Sequence, residues 1–217
     1  MTSVKMYQEL NEELGVIYDE VLNLRLDQHI FWEVQDIIRA NPSIYVFNEF
    51  YSWMNLAYAA SMSVAIRRLV DKRKGTISFV RFLHSLARQP GVVTRTRYKS
   101  LSVTAPEAYM DLDFDQLAGV GRDTMNPTEI RKDIEHLIAK ANVLKKYTDS
   151  IIAHHGKIPP PIIPKFSDID EVIEVLENLL KKYLLLFRAT GLSSALPQII
   201  DDWKAIFRVA WIRTDKA

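Results

Sequence analysis

A hydrophobic repeat with the period of an α-helix dominates the first part of the sequence and most constrains the fold. Apolar side chains recur at helical spacing from Lys5 to Arg39, which places them along one face of a helix. The members of this stripe are Met6, Leu10, Leu14, Ile17, Val21 and Leu24, continued by Ile30, Phe31, Val34, Ile37 and Ile38. Such a helix is unusually long for a globular protein, so a break near Leu26–Asp27 is predicted.

The rest of the sequence also favours helices over strands. Few segments alternate strictly between apolar and polar residues, and seven glycines and nine prolines leave room for few tight turns. A second helix is predicted from about Tyr45 to Asp71, and Thr76 is predicted to cap a third. The clearest helix start is Asn126–Glu129, with an N-cap residue, a proline at the first helical position and a glutamate at the third.

The remaining segments complete the predicted architecture. Ser167 or Asp168 is predicted to cap another long helix. The segment 91–125 lacks clear periodicity and is predicted to be an irregular insertion, whereas the proline-rich segment 157–165 is predicted to be an extended connector. The sequence therefore predicts a single all-α domain over residues 1–217, a bundle of about five to seven helices.

Composition excludes several function classes. The formal net charge is +1, so bulk charge indicates neither a nucleic-acid nor a membrane partner, and only a local patch could do so. The chain has no cysteine, which excludes disulfides, thiolate catalysis and thiolate metal ligands. The longest apolar run, Tyr183–Phe187, is too short to cross a bilayer, and the first residues show no apolar signal-peptide core. These features predict a soluble, cytoplasmic protein.

Motifs of the common enzyme classes are missing from the sequence. It has no serine nucleophile elbow, no phosphate-binding glycine loop and no dinucleotide fingerprint. His154 and His155 are adjacent, so their side chains diverge by roughly 100° on a helix and cannot both face one metal ion unless the helix has already ended. Neither a metal site nor a cofactor is therefore predicted.

Two basic clusters, Arg67–Lys74 and Arg95–Lys99, either hold an RNA backbone or form solvated surface. In the second cluster the cations alternate around Tyr98, an arrangement that suits phosphate contacts with one stacking ring. The proposed RNA-binding cations are Arg67, Arg68, Lys72, Arg73, Lys74, Arg95, Arg97 and Lys99.

Aromatic residues concentrate in two further places. The first is Phe47–Tyr58 in the second predicted helix, and the other is a short helix predicted near the end of the chain. There Trp203, Phe207 and Trp211 fall four residues apart on one stripe. Both clusters are predicted to lie in the core or in a dimer interface.

The segment Leu144–Lys157, LKKYTDSIIAHHGK, ends the helix that begins near Asn126. One interpretation is metal-independent RNA cleavage, in which a histidine moves protons and a nearby cation stabilises the phosphate. The other is an ordinary helix end, because His and Lys side chains there favour the helix dipole and Asp149 can pair with Lys145 or Lys146.

Several segments, in their order and spacing, resemble the HEPN domain family, in particular its abortive-infection, AbiU-like branch. They are IIRANP, YAASMSVAIRRLVDKRKGTISF, FLHSLARQPGVVTR, DSIIAHHGK and DWKAIFRVAWI, and they span nearly the whole chain. The resemblance implies an all-α fold and a homodimer. It also implies a role on RNA in antiviral defence or in a toxin–antitoxin system, since many HEPN proteins are RNases.

The HEPN RNase motif is an arginine, usually followed by a polar residue, then four to six further residues and then a histidine. His154 matches the histidine and Asp149 the polar residue, while the arginine position falls on Thr148. The resemblance therefore implies His154 as general acid and base, with His155 as its substitute. Asp149 would orient the histidine or the RNA, and Lys146 would stabilise the phosphate.

Two other functions fit the same sequence. One is a non-catalytic HEPN module that dimerises or binds a partner such as a nucleotidyltransferase-type antitoxin. The other is a nucleotide-binding protein of the same fold.

Overall fold

The computed structural model describes residues 3–102, 105–152 and 164–211. These residues form seven α-helices. They are α1 (Ser3–Ala40), α2 (Glu49–Leu69), α3 (Phe79–Arg88), α4 (Arg95–Ser100), α5 (Glu107–Ala118), α6 (Pro127–Tyr147) and α7 (Phe166–Arg188). The described residues form no β-strand, so the predicted all-α helical bundle is confirmed. The connector predicted at 157–165 lies outside them except for its last two residues.

Shorter helical turns supplement these helices. A π-helical turn, Thr148–Ile152, extends α6, and 3-10 turns occur at Pro90–Val92 and Trp203–Arg208. Among the helices described, none has both the length and the apolar character that crossing a bilayer requires.

The helix α1 runs unbroken through the hydrophobic repeat, so the predicted break near Leu26–Asp27 is wrong. Its buried residues are Met6, Leu10, Leu14, Ile17, Val21, Leu24, Gln28, Phe31 and Ile38. This spacing keeps the stripe on one side of the helix along its length. The one polar member, Gln28, donates its amide N–H to Asp170 of α7, so its burial does not interrupt the helix.

The helix α6 lies among α2, α3 and α7 and packs against all three. Asn126 caps it as predicted, because its Oδ1 accepts a hydrogen bond from the Thr128 N–H at 3.0 Å. Its buried face consists of Ile130, Ile134, Leu137, Ala141 and Leu144. Because α2 and α3 flank α6, the polar residues along their edges share one surface of the molecule.

The helix α7 begins at Phe166, so its N-cap position is Lys165, and the predicted cap at Ser167 or Asp168 is wrong. Asp168 instead accepts a hydrogen bond from the Lys165 N–H at 2.7 Å.

Two further local predictions are corrected by the structure. The cap of α3 is Ser78, whose Oγ accepts from the Arg81 N–H at 3.1 Å, and not Thr76. The segment 91–125, predicted to be irregular, contains α4 and α5. These helices pack through Tyr98 and Phe114, whose ring centroids lie 5.6 Å apart. With six and twelve residues, α4 and α5 are too short for a periodic pattern to stand out.

The aromatic cluster of α2 divides between core and surface. Tyr58 is buried and its ring stacks on Phe31 of α1 with centroids 3.7 Å apart. Phe47, Phe50 and Trp53 are exposed and lie outside the core, so for these three the dimer interface stays a prediction.

The end of the described chain also differs from its prediction. A 3-10 turn, Trp203–Arg208, replaces the predicted helix. Phe207 and Trp211 are exposed and stack on each other with centroids 6.1 Å apart. They form a small surface cluster and not part of the core.

Candidate functional site

Two clefts lined by cations open where α2, α3 and α6 meet. The α2–α6 cleft has a volume of about 610 Å³, and its charged lining consists of Arg67, Asp71, Lys72, Arg73 and Lys145. The α3–α6 cleft has a volume of about 480 Å³, and its titratable lining consists of Lys72, His84, Arg88, Arg131 and Glu135. Lys72 and Ile138 line both, so the two clefts adjoin.

An ion-pair cluster joins α2 to the end of α6 at the first cleft. Arg67 donates to Asp149 Oδ1, and Lys145 Nζ donates to Asp149 Oδ2 at 2.7 Å. Arg67 reaches this position because α2 packs against both α6 and the π-helical turn. Its neighbours Ile66 and Leu69 are buried, which fixes the rotation of α2 and turns Arg67 toward the cleft.

Thr148 occupies the position that the HEPN motif gives to arginine, and its side chain is buried. Its hydroxyl donates to the Leu144 carbonyl oxygen at 2.8 Å and so satisfies a backbone group at the end of α6. A charged side chain buried here would lose its hydration. The guanidinium beside Asp149 comes instead from Arg67, 82 residues away in the chain.

Asp149 is held in its ionised form. Partial burial acts to raise its pKa, but the hydrogen bonds from Lys145 and Arg67 outweigh burial and leave the pKa below the ordinary value. Two cations therefore share one carboxylate, and the cluster keeps a surplus of positive charge. The π-helical turn that carries Asp149 is a geometry found frequently at functional sites.

The structure describes two of the four proposed catalytic residues, Asp149 and Lys146. Lys146 is exposed and lines neither cleft, so the lysine that contacts Asp149 is Lys145. His154 and His155 lie outside the described residues.

The other cations of the first basic cluster separate from one another. Arg68 faces α1, where its Nη2 lies 2.6 Å from Glu20 Oε2. Arg73 lines the α2–α6 cleft and pairs with Asp71 at 2.6 Å, and its hydrogen bond is the main reason that the pKa of Asp71 is lowered. Lys74 is exposed and lines neither cleft.

The second basic cluster is neutralised within the protein. Arg95 Nη1 lies 3.1 Å from Asp111 Oδ1, and Arg95 also pairs with Asp115 of α5. Lys99 lies 3.2 Å from Asp111 Oδ2 and makes a further ion pair on α5. Tyr98 is buried and is not available for stacking on a base.

Arg97, the remaining cation of that cluster, points inward. It donates to the Val92 carbonyl oxygen, and its guanidinium lies 4.7 Å from the ring centroid of Tyr7. All three cations of the cluster therefore have partners in the fold.

His84 is a cleft residue that the sequence analysis missed. It lies on α3 one turn before Arg88, and both side chains line the α3–α6 cleft. The available signal was the spacing of a histidine and an arginine on one helical face, which is too common to single out alone. Arg131 completes the cleft from α6, 47 positions away from His84 in the sequence.

The two clefts present guanidinium, ammonium and imidazole groups, which are donors suited to an anionic ligand. Within residues 3–102, 105–152 and 164–211, no group of three or more histidine, aspartate or glutamate side chains could hold a metal ion. The chain matches no family model, no characterised protein and no solved structure.

Proposed function

We propose that the protein is a HEPN-like protein that binds RNA in the α2–α6 cleft, in antiviral defence or as part of a toxin–antitoxin system. The observation that carries this proposal is the position of Arg67. Its guanidinium contacts Asp149, which stands five residues before His154 in the chain. The fold therefore places an arginine beside Asp149, within the segment Leu144–Lys157, which contains no arginine of its own.

The charge of the cleft supports an anionic polymer as ligand. Among the described residues, the four cations Arg67, Lys72, Arg73 and Lys145 line it, and two carboxylates, Asp71 in the lining and Asp149 beside Arg67 and Lys145, offset part of their charge. Binding of such cations to a phosphate backbone releases condensed counterions, and this release drives association at moderate salt. Arg67 is suited to bidentate contact with a phosphate because its guanidinium is planar and always charged.

If the protein cleaves RNA, the roles follow from this arrangement. A 2′-hydroxyl loses a proton as its oxygen bonds to phosphorus, and the departing 5′-oxygen gains a proton as its bond to phosphorus breaks. His154, or His155 in its place, moves these protons. Arg67 stabilises the charge that develops on the phosphate, a role that the sequence had given to Lys146.

RNA binding is tested by fluorescence polarisation of a fluorescein-labelled single-stranded RNA in chelator, over a range of salt concentrations. The site variant is Arg67→Gln with Lys145→Gln, and the matched control is Arg68→Gln, one residue away on the face toward α1. We expect the site variant to lose affinity and to reduce the magnitude of the salt slope by about one for each lost contact, roughly two in total. A slope unchanged from wild type would contradict the proposal.

Cleavage is tested separately with total RNA and chelator present. Wild type should cut, whereas His154→Ala and Arg67→Gln should not. If wild type binds RNA and leaves it intact, the protein is a binding module and the catalytic roles are wrong.

A second function, homodimer formation, is favoured by one specific surface. Near the start of α2, the apolar residues Tyr45, Val46, Phe47, Phe50, Trp53 and Leu56 are each more than half exposed. Clustered exposed apolar side chains of this kind mark interaction sites. In sedimentation velocity, Trp53→Glu should dissociate a dimer, and Tyr109→Glu, an equally exposed aromatic position on α5, should not. A monomeric wild type would exclude this function.

A further inference from the structure

The α3–α6 cleft gathers three cations around one histidine. His84 and Arg88 come from α3, Arg131 comes from α6, and Lys72 comes from the segment after α2. The cleft is about 480 Å³ in volume, which is enough for a phosphate group and part of the molecule that carries it. Four positive or polar groups from three parts of the chain therefore converge on one small space.

The cations of this cleft differ from most others in the protein in having no ion-pair partner within the described part of the chain. Arg67, Arg73 and Lys145 of the neighbouring cleft each contact a carboxylate. By contrast, Lys72, Arg88 and Arg131 make no side-chain ion pair or hydrogen bond with any other described residue. Their positive charge is therefore available to a ligand.

One acidic residue, Glu135, also lines the cleft, one turn after Arg131 on α6. Three cations thus face one carboxylate, and the local charge stays positive. An anionic ligand gains from this field because fixed cations around a concave site raise its local concentration.

The positive charges of the cleft also change the pKa of the His84 imidazole. Partial burial lowers its pKa, and the charges of Lys72 and Arg88 lower it further. Arg131 and Glu135 are the charged groups that α6 brings to the cleft. At neutral pH, these effects favour the uncharged form of His84.

We propose that the α3–α6 cleft is a phosphate-binding site in which Lys72, Arg88 and Arg131 hold a phosphate ester beside His84. A bound phosphate offsets the positive field and favours the protonated imidazole, so ligand binding and proton uptake by His84 are linked. The phosphate ester is either a nucleotide or an RNA backbone. In the second case the strand continues from the α2–α6 cleft, because Lys72 lines both clefts.

The test follows the ring resonances of the histidines by NMR over a pH titration, with His84 assigned from His84→Gln. The probes are ATP and a short single-stranded RNA, each added in chelator. We expect at least one probe to move the titration midpoint of His84 upward, on the order of one pH unit. The double variant Arg88→Gln with Arg131→Gln should lose this response, and Arg68→Gln should keep it. Arg88 and Arg131 are exposed, so their replacement should leave the fold intact.

The outcomes distinguish a nucleotide from an RNA backbone as the bound phosphate ester. They also test the phosphate site separately from RNA binding in the α2–α6 cleft. A response to ATP alone defines a nucleotide site, and a response to RNA alone defines a strand that crosses both clefts. A midpoint that neither probe moves overturns the inference. If RNA binds but neither probe moves the titration midpoint of His84, only the RNA-binding proposal is supported. If ATP moves the midpoint and RNA does not bind, only the phosphate-site proposal is supported.

Discussion

Two cations of α4, Arg95 and Lys99, lie against the carboxylates of α5, whereas the cations of the α3–α6 cleft face one carboxylate and otherwise solvent. Arg95 shows the first situation most clearly. It pairs with Asp111 and Asp115, donates to the Arg122 carbonyl oxygen at 3.0 Å, and lies 4.9 Å from the ring centroid of Phe114. These contacts neutralise the charge of Arg95 and join α4 to α5 and to the turn that follows α5.

The difference shows that the number of cations in a segment says little about ligand binding until their partners are known. A cation whose donor groups are all taken up by internal partners, such as Arg95, stabilises the fold, and its release to a ligand would leave those partners without compensation. A cation without partners contributes little to folding and remains free to bind. Each kind of residue should therefore fail in a different assay when it is changed.

The largest effect is expected from reversing the charge of Arg95. Arg95→Glu places a third carboxylate beside Asp111 and Asp115 and removes the hydrogen bonds to α5. We expect the melting temperature, followed by circular dichroism, to fall on the order of 5 °C. The matched change Arg88→Glu at the α3–α6 cleft should lower it by about 1 °C or less. Equal falls for the two variants would remove the distinction between the regions.

An intermediate effect is expected on ligand affinity at two neighbouring lysines. Lys72 lines both clefts and Lys74 lines neither, although two positions separate them. Lys72→Ala should weaken RNA binding about threefold to tenfold and reduce the salt slope by about one. Lys74→Ala should change neither quantity measurably in the polarisation assay. Similar losses for the two would indicate diffuse attraction to the whole basic segment and not a cleft.

The smallest effect is expected in the pH dependence of stability. The pKa of His84 is lowered from 6.5, so the unfolded chain takes up this proton first as the pH falls. Its contribution to stability is complete above about pH 6.5 and is lost as the pH falls through the folded-state pKa. Between pH 7.5 and 5, His84→Gln should therefore flatten the fall in melting temperature, on the order of 1 °C. A wild type and variant with parallel profiles would show that the field in the cleft is weak.

The α4–α5 region should respond in a different pH range. Hydrogen bonds from Lys99 and Arg95 lower the pKa of Asp111, and those from Arg95 and Gly121 lower the pKa of Asp115, each from 3.8. These contributions are present above about pH 3.8 and are lost as the pH falls through the lower, folded-state values. When the melting temperature is measured as the pH is lowered, the contribution of His84 should therefore be lost first and those of Asp111 and Asp115 last.

Periodicity and capping residues predicted the long elements of the fold well. The stripe of α1 and the Asn126 cap of α6 could both be read from local sequence, because each depends on residues within a few turns. The contact of Arg67 with Asp149 could not, since it depends on how α2 packs on α6 across 82 residues. The sequence shows a basic segment, Arg95–Ser100, followed by an acidic one, Asp111–Gln116. It does not show that the two segments form helices that pair with each other.

The pairing of α1 with α7 has a consequence for synthesis of the chain. Tyr7 donates to the Phe187 carbonyl oxygen across 180 residues, and Gln28 donates to Asp170 across 142 residues. The apolar stripe of α1 therefore leaves the ribosome roughly 10–30 s before α7, the helix that packs against it most extensively, at typical elongation rates. Such distant contacts slow folding compared with other helical bundles. During this interval the nascent chain exposes a long apolar stripe, the kind of surface that promotes aggregation during folding.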